Sequence, residues 1–196
     1  MTKNIKDPAL KKPTPAVFGV AEGNTPLEAF FIEALKDIYW AENELLKSLP
    51  RLKQSATTHE LASAFDEHLL ETQTHVKRLQ EVFQILGRPA EAKVCYAMQG
   101  LVKEADSIVE ETAEGSMTRD AAIIMAAQKV EHYEIATYGS LCEYAKTLGL
   151  KDVHGIFQAT LEEERMADQS LTLIAQNKIN WEAELEDVTE AATSGK

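Results

Sequence analysis

The sequence predicts an all-α protein: a four-helix bundle built from two hairpins, with a long crossover between them that carries an extra short helix. Three observations predict it. Apolar residues recur at helical spacing along four long stretches. Each stretch is bounded by helix start and stop signals. The connections within each pair of stretches are short, whereas residues 90–118 between the pairs are too long for a hairpin turn.

Residues 1–24 (MTKNIKDPALKKPTPAVFGVAEGN) carry three prolines and no sustained period, and read as a flexible tail. The first helix opens at Thr25-Pro26-Leu27-Glu28, with Thr as cap, Pro at the first helical position and Glu placed for a capping box. Its stripe is Phe31, Leu35, Ile38, Leu45, Leu49 and Leu52, and Glu42 fills the gap after Ile38. Asp37 lies at the stripe's edge, and Pro50 is expected to loosen the last turn. A break at 55–57 leads to a second expected capping box, Thr57-Thr58-His59-Glu60. The second helix runs to Gly87-Arg88-Pro89 with Leu61, Phe65, His68, Thr72, His75, Leu79 and Val82 on its stripe and Glu71 beside it.

Within the crossover, Met98, Leu101, Ala105, Ile108 and Val109 predict a short amphipathic helix ending at Gly115. A crossover of this length makes the second and third long helices parallel. The third spans about 119–148 and stops at Gly149. Ile124, Ala127, Ile135, Tyr138, Leu141 and Cys142 form its stripe, which also contains Glu131 and Glu134. The fourth, about 152–176, buries Phe157, Leu161, Leu171 and Ile174, with Glu164 and Asp168 in the gap. The bundle domain is thus placed at 25–178 and an acidic tail at 179–196.

The 32 Asp and Glu against 20 Lys and Arg give a formal charge of −12, which repels phosphate backbones and argues against nucleic acid as partner. Cys95 and Cys142 match neither a disulfide framework nor a zinc pattern. No apolar run reaches membrane-spanning length, and no secretory signal follows Met1. A cytoplasmic protein with no membrane partner is expected.

Acids on apolar stripes need explaining, because an unpaired buried carboxylate costs several kcal/mol or takes up a proton. In an antiparallel hairpin, residues equidistant from the turn lie at equal depth. Glu42 and Glu71 flank the first turn evenly; Glu134 with Glu164, and Glu131 with Asp168, flank the second. The separations, 29 residues from Glu42 to Glu71 and 30 from Glu134 to Glu164, repeat one pattern in both hairpins. Surface charges on imperfect stripes would not match in depth on four helices, so metal binding at mid-bundle is the expectation. His59, His132 and His154 lie off this face or near helix starts and are not expected to take part.

The segments LKDIYWAENEL, EHLLET, KVCYAMQGL, AAQKVEHYEIATYG and TLEEERMAD resemble the ferritin-like superfamily of di-iron carboxylate proteins, and within it the bacterial YciE/YciF family associated with stress responses. The resemblance covers about residues 25–176. It implies two iron ions, or manganese, with Glu42 as the first-helix ligand, Glu71 and Glu164 as bridges, and Glu131 and Glu134 as third-helix acids. Ferritin-like sites often pair Glu with a His three or four residues later. Here Glu71 has His75 four after it and His68 three before it, and Asp168 stands where the last His is expected, so the choice between His68 and His75 stays open. The implied activity is reaction with dioxygen or peroxide, with no catalytic residue singled out. Tyr138, one turn from Glu134, is either a tuning group or a core tyrosine. The alternative is a non-catalytic metal-binding or structural stress protein acting through its helix faces, and a homodimer built on such a face is expected.

Overall fold

The computed structural model describes residues 25–187, so the expected tail at 1–24 and the part of the expected 179–196 tail from 188 on lie outside the described residues. Among the described residues six α-helices and one π segment follow in order: α1 (Pro26–Ser55), α2 (His59–Ile85), α3 (Tyr96–Glu111), α4 (Met117–Thr147), α5 (Lys151–Ile174), the π segment Ala175–Ile179, and α6 (Asn180–Glu184). The four long helices and the short crossover helix are those expected.

Thr25 caps α1, its hydroxyl accepting the Glu28 N–H at 3.1 Å. Pro50 removes one backbone donor, yet α1 continues to Ser55. At α2 the cap is Thr58, one residue later than the expected Thr57. The cause is distant in sequence. The buried Asp120 carboxylate of α4 accepts the N–H groups of Thr57 (2.6 Å) and Thr58 (2.8 Å) and the Thr58 hydroxyl (2.7 Å). The Thr57 hydroxyl is drawn away to the Ser116 carbonyl, 2.9 Å distant. Past the end of α4, Gly149 adopts φ 75°, which a residue without Cβ enters freely, and the chain turns straight into α5.

α1 packs along α2 and α4 along α5, while α2–α5 and α1–α4 contacts join the hairpins. α3 lies against α4 and α1. The Asp120 contacts put the starts of α2 and α4 at the same end, so these two helices run parallel and the crossover returns the chain along the bundle. Beyond residue 178 the helical rod continues: Ile179 is fully buried, and Glu186 accepts the Met117 and Thr118 N–H groups at the start of α4.

Apolar layers fill both halves of the bundle. Phe31 and Phe157 meet edge to face in one half, and Leu49, Leu52, Leu61 and Phe65 belong to the same continuous core. Between the halves lies a polar layer: Glu42, His68, Thr72, His75, Glu131, Glu134 and Glu164 are all buried. No helix is long and apolar enough to cross a membrane among the described residues.

Candidate metal centre

Each long helix contributes to the polar layer. Glu42 comes from α1, His68 and His75 from α2, Glu131 and Glu134 from α4, and Glu164 from α5. The i, i+7 spacing of His68 and His75 and the i, i+3 spacing of Glu131 and Glu134 put each pair on one helix face. Ligand atoms of His68, Glu131, Glu134 and Glu164 lie within 4.8 Å of one another, and so do those of Glu42, His75 and Glu164. Glu164 belongs to both groups.

Both imidazoles are held from behind and aimed inward. His75 Nε2 lies 2.8 Å from Glu163 Oε2, and Glu163 is gripped in turn by both terminal nitrogens of Arg78. This leaves Nδ1 facing Glu164 Oε1 at 3.0 Å and Glu42 Oε1 at 3.4 Å. His68 repeats the arrangement with its nitrogens exchanged: Nδ1 lies 3.5 Å from Glu71 Oε2, and Nε2 lies 3.3 Å from Glu131 Oε1. A carboxylate behind an imidazole fixes its tautomer and raises its basicity toward a metal. Tyr138 donates its hydroxyl hydrogen to Glu42 Oε1.

Burial and the closeness of like charges shift the ionisable groups of the layer. Burial pushes Glu131 up to about 8, and it holds Glu42 and Glu134 above the usual carboxylate range, with the neighbouring Glu164 adding repulsion. Burial alone would discharge the histidines, but Glu131 and Glu71 raise His68 to about 9, and Glu164 and Glu42 raise His75 to about 11. Burial likewise raises the Tyr138 hydroxyl, which keeps its proton. At Glu163 burial is outweighed by Arg78 and His75, so this carboxylate stays ionised below its ordinary range.

Among the described residues, eight buried side-chain atoms make no well-aligned hydrogen bond: Glu42 Oε2, His68 Nε2, His75 Nδ1, Glu131 Oε2, and both oxygens of Glu134 and Glu164; the two imidazole nitrogens have only the carboxylate ion-pair contacts given above. Buried polar atoms are satisfied in all but a few cases in folded proteins, so eight in one layer mark a missing partner. The donor set fits divalent metal. Four carboxylates and two neutral imidazoles balance two doubly charged cations, and an oxygen-rich set with few nitrogens suits iron or manganese better than copper or zinc.

Of the eight residues expected from the sequence, six meet in this layer. Glu71 is level with it but its side chain is 43% exposed, beside His68 at the rim. Asp168 is half-buried one turn further along α5, where its Oδ1 accepts from Gln128 Nε2 at 3.1 Å and lies 3.3 Å from His132 Nε2. Both histidines, rather than one of the two, point into the layer. Sequence reasoning missed Glu163 and Arg78. Their pairing at a sequence separation of 85 residues leaves no local signal.

The layer lies inside residues 26–184, the stretch that matches the family described as "Domain of unknown function (DUF892)". The chain belongs to that family. Within DUF892 territory the likeness extends to individual proteins. The chain is 41% identical over 159 residues to Protein YciF of Escherichia coli (strain K12), covering 81% of this chain and 95% of that protein. The crystal structure of the E. coli stress protein YciF superimposes with a TM-score of 0.76 at 40% identity, covering 81% of this chain and 99% of that one. YcfI from Rhodopseudomonas palustris gives 0.74 at 38% identity over 79% of this chain and 98% of its own. The family and helical architecture expected from the five quoted segments are therefore found.

Proposed function

We propose that the polar layer is a two-metal carboxylate site, for iron or manganese, and that the loaded protein reacts with dioxygen or peroxide. The observation that carries this reading is the set of eight unpartnered buried ligand atoms. His75 Nδ1, Glu42 and Glu164 would hold one ion, and His68 Nε2, Glu131, Glu134 and Glu164 the other. When bound, such a pair of ions supplies the electrons for reduction of the oxidant.

The chain's own residues do the rest. Glu164 belongs to both groups and would serve both ions, and Glu163 and Glu71 hold the two imidazoles with their free nitrogens inward. Tyr138 holds a proton at its hydroxyl and donates it in a hydrogen bond to Glu42 Oε1. The aromatic layer of Phe31, Phe157 and Tyr138 excludes water on that side.

Elemental analysis of protein purified without chelator, followed by anaerobic Fe(II) titration and exposure to oxygen or peroxide, tests the reading. Two metals per chain and oxidation faster than in buffer are expected. Glu164→Ala should lose both ions, whereas Glu162→Ala, on the exposed side of α5, should lose neither. Equal metal content in the two variants overturns the ligand assignment. Two bound metals with no accelerated oxidation would leave a metal-supported bundle without turnover.

A further inference from the structure

The buried layer needs a way in for its ions, and the molecule offers one. A cleft of about 190 Å³ opens between α2 and α5. Glu67 and Glu71 line it, the first exposed and the second half-exposed, and its walls include Phe65, Ala167 and Ser170. Two members of the buried layer, His68 and Glu131, also line it. These two are 7% and 2% exposed, and His68 Nε2 and Glu131 Oε2 have no hydrogen-bond partner. Among the described residues, no lysine or arginine lines the cleft. The larger cleft between α1 and α4, about 480 Å³, is lined by none of the six buried ligand candidates.

We propose that the α2–α5 cleft is the route by which divalent cations reach the buried layer, with Glu71 as the carboxylate that receives the ion at the mouth and hands it to His68 and Glu131. This rests on the metal-binding reading above. An acidic mouth raises the local concentration of cations, and a carboxylate that is half in water can exchange the ion's waters for protein oxygens before the ion enters an environment with none. Glu71 is suited to this because its 3.5 Å contact with His68 Nδ1 places it one side chain from the layer while it still faces solvent. A second carboxylate, Glu67, lies one helical turn away on the same wall.

The test is the rate of loading, separated from its endpoint. The full-length, metal-free protein is mixed anaerobically with Co(II), and the visible absorption of the bound ion is followed by stopped flow. Glu71→Gln keeps an acceptor for His68 and removes the charge. It should slow loading on the order of tenfold at low ionic strength, with the deficit shrinking in high salt; because Glu71 also orients His68, the endpoint is read at saturating cobalt, where the stoichiometry should match the wild type. Ala167→Trp, or Ser170→Trp should the first variant not fold, obstructs the cleft and should slow loading at any salt. Glu162→Gln, outside the cleft, should load like the wild type. Wild-type rates in both Glu71→Gln and the tryptophan variant overturn the route. Reduced final cobalt in Glu71→Gln makes Glu71 a resident ligand and overturns its transfer role. Absence of cobalt binding by the wild type overturns the two-metal reading itself, and the route with it.

Discussion

Glu162, Glu163 and Glu164 are consecutive, yet each meets a different environment. Successive residues on a helix are turned by about 100°, so Glu164 enters the core, Glu163 sits at the edge against Arg78 and His75, and Glu162 faces water. Removing Glu163 should therefore act on metal affinity through His75, whose imidazole loses the acceptor that orients it. Glu163→Ala is expected to weaken metal binding by about 10- to 100-fold, measured by competition against a chelator of known affinity, with Glu162→Ala unchanged. Equal affinities in the two would remove Glu163 from the site. At this scale the sequence was informative wherever an acid interrupted an apolar stripe, as at Glu42, Glu131, Glu134 and Glu164. It was misleading at Glu71, which matches the layer in depth but lies about 70° around the helix from the centre of the arc formed by His68, Thr72, His75 and Leu79. Depth follows from counting residues along a hairpin; the exact facing at a stripe's edge depends on how the neighbouring helices close over it.

Among the elements, α2 begins on a carboxylate supplied by α4. Asp120 is fully buried and satisfies two backbone N–H groups and a hydroxyl at the turn between α1 and α2. Asp120→Ala leaves those donors without an acceptor and is expected to cost roughly 2–4 kcal/mol, read from urea melts as a lower midpoint at unchanged slope. A midpoint equal to that of the wild type would show that water replaces the carboxylate. The helices themselves were legible because caps, glycines and apolar period agree: Thr25, Gly87 and Gly149 stand at or just beyond the ends of α1, α2 and α4. The displacement of the α2 cap to Thr58 was not legible, since a partner 62 residues away outcompetes the local capping box. The continuation through the π segment to Glu184 was equally hidden, because it depends on the burial of Ile179 and the return of Glu186 to α4.

For the whole molecule, the balance of charge in the layer ties stability to pH and to metal. The folded-state pKa of Glu131 is raised from 4.5 to about 8, and those of Glu42 and Glu134 are raised as well. A group that binds its proton more tightly in the folded chain contributes fully below its unfolded pKa, and that contribution is lost as pH rises through the folded value. The histidines, raised to about 9 and about 11, act in the same direction at higher pH. Metal-free protein should therefore lose thermal stability as pH rises from about 5 to about 8. On the two-metal reading metal would take the place of the protons, so the loaded form should hold its melting temperature over that range, gaining about 2.7 kcal/mol at a hundredfold excess over Kd. Parallel curves with and without metal would contradict this account. The bundle and its pairing were readable from connection lengths and the matched depths of acids in two hairpins; the charge balance became visible only once four carboxylates and two imidazoles could be counted in one place.

Glu164 stands in both ligand groups, so on the two-metal reading the two positions would not be filled independently. An ion in the first position would order a side chain that the second also requires, and where that ordering outweighs the repulsion between the two cations the second would bind with positive cooperativity. Intermediate loading should leave a mixture of empty and doubly filled chains rather than a population holding one ion each, a distribution that native mass spectrometry resolves. The bundle would then behave less as a graded reservoir than as a two-position switch set by the free metal concentration.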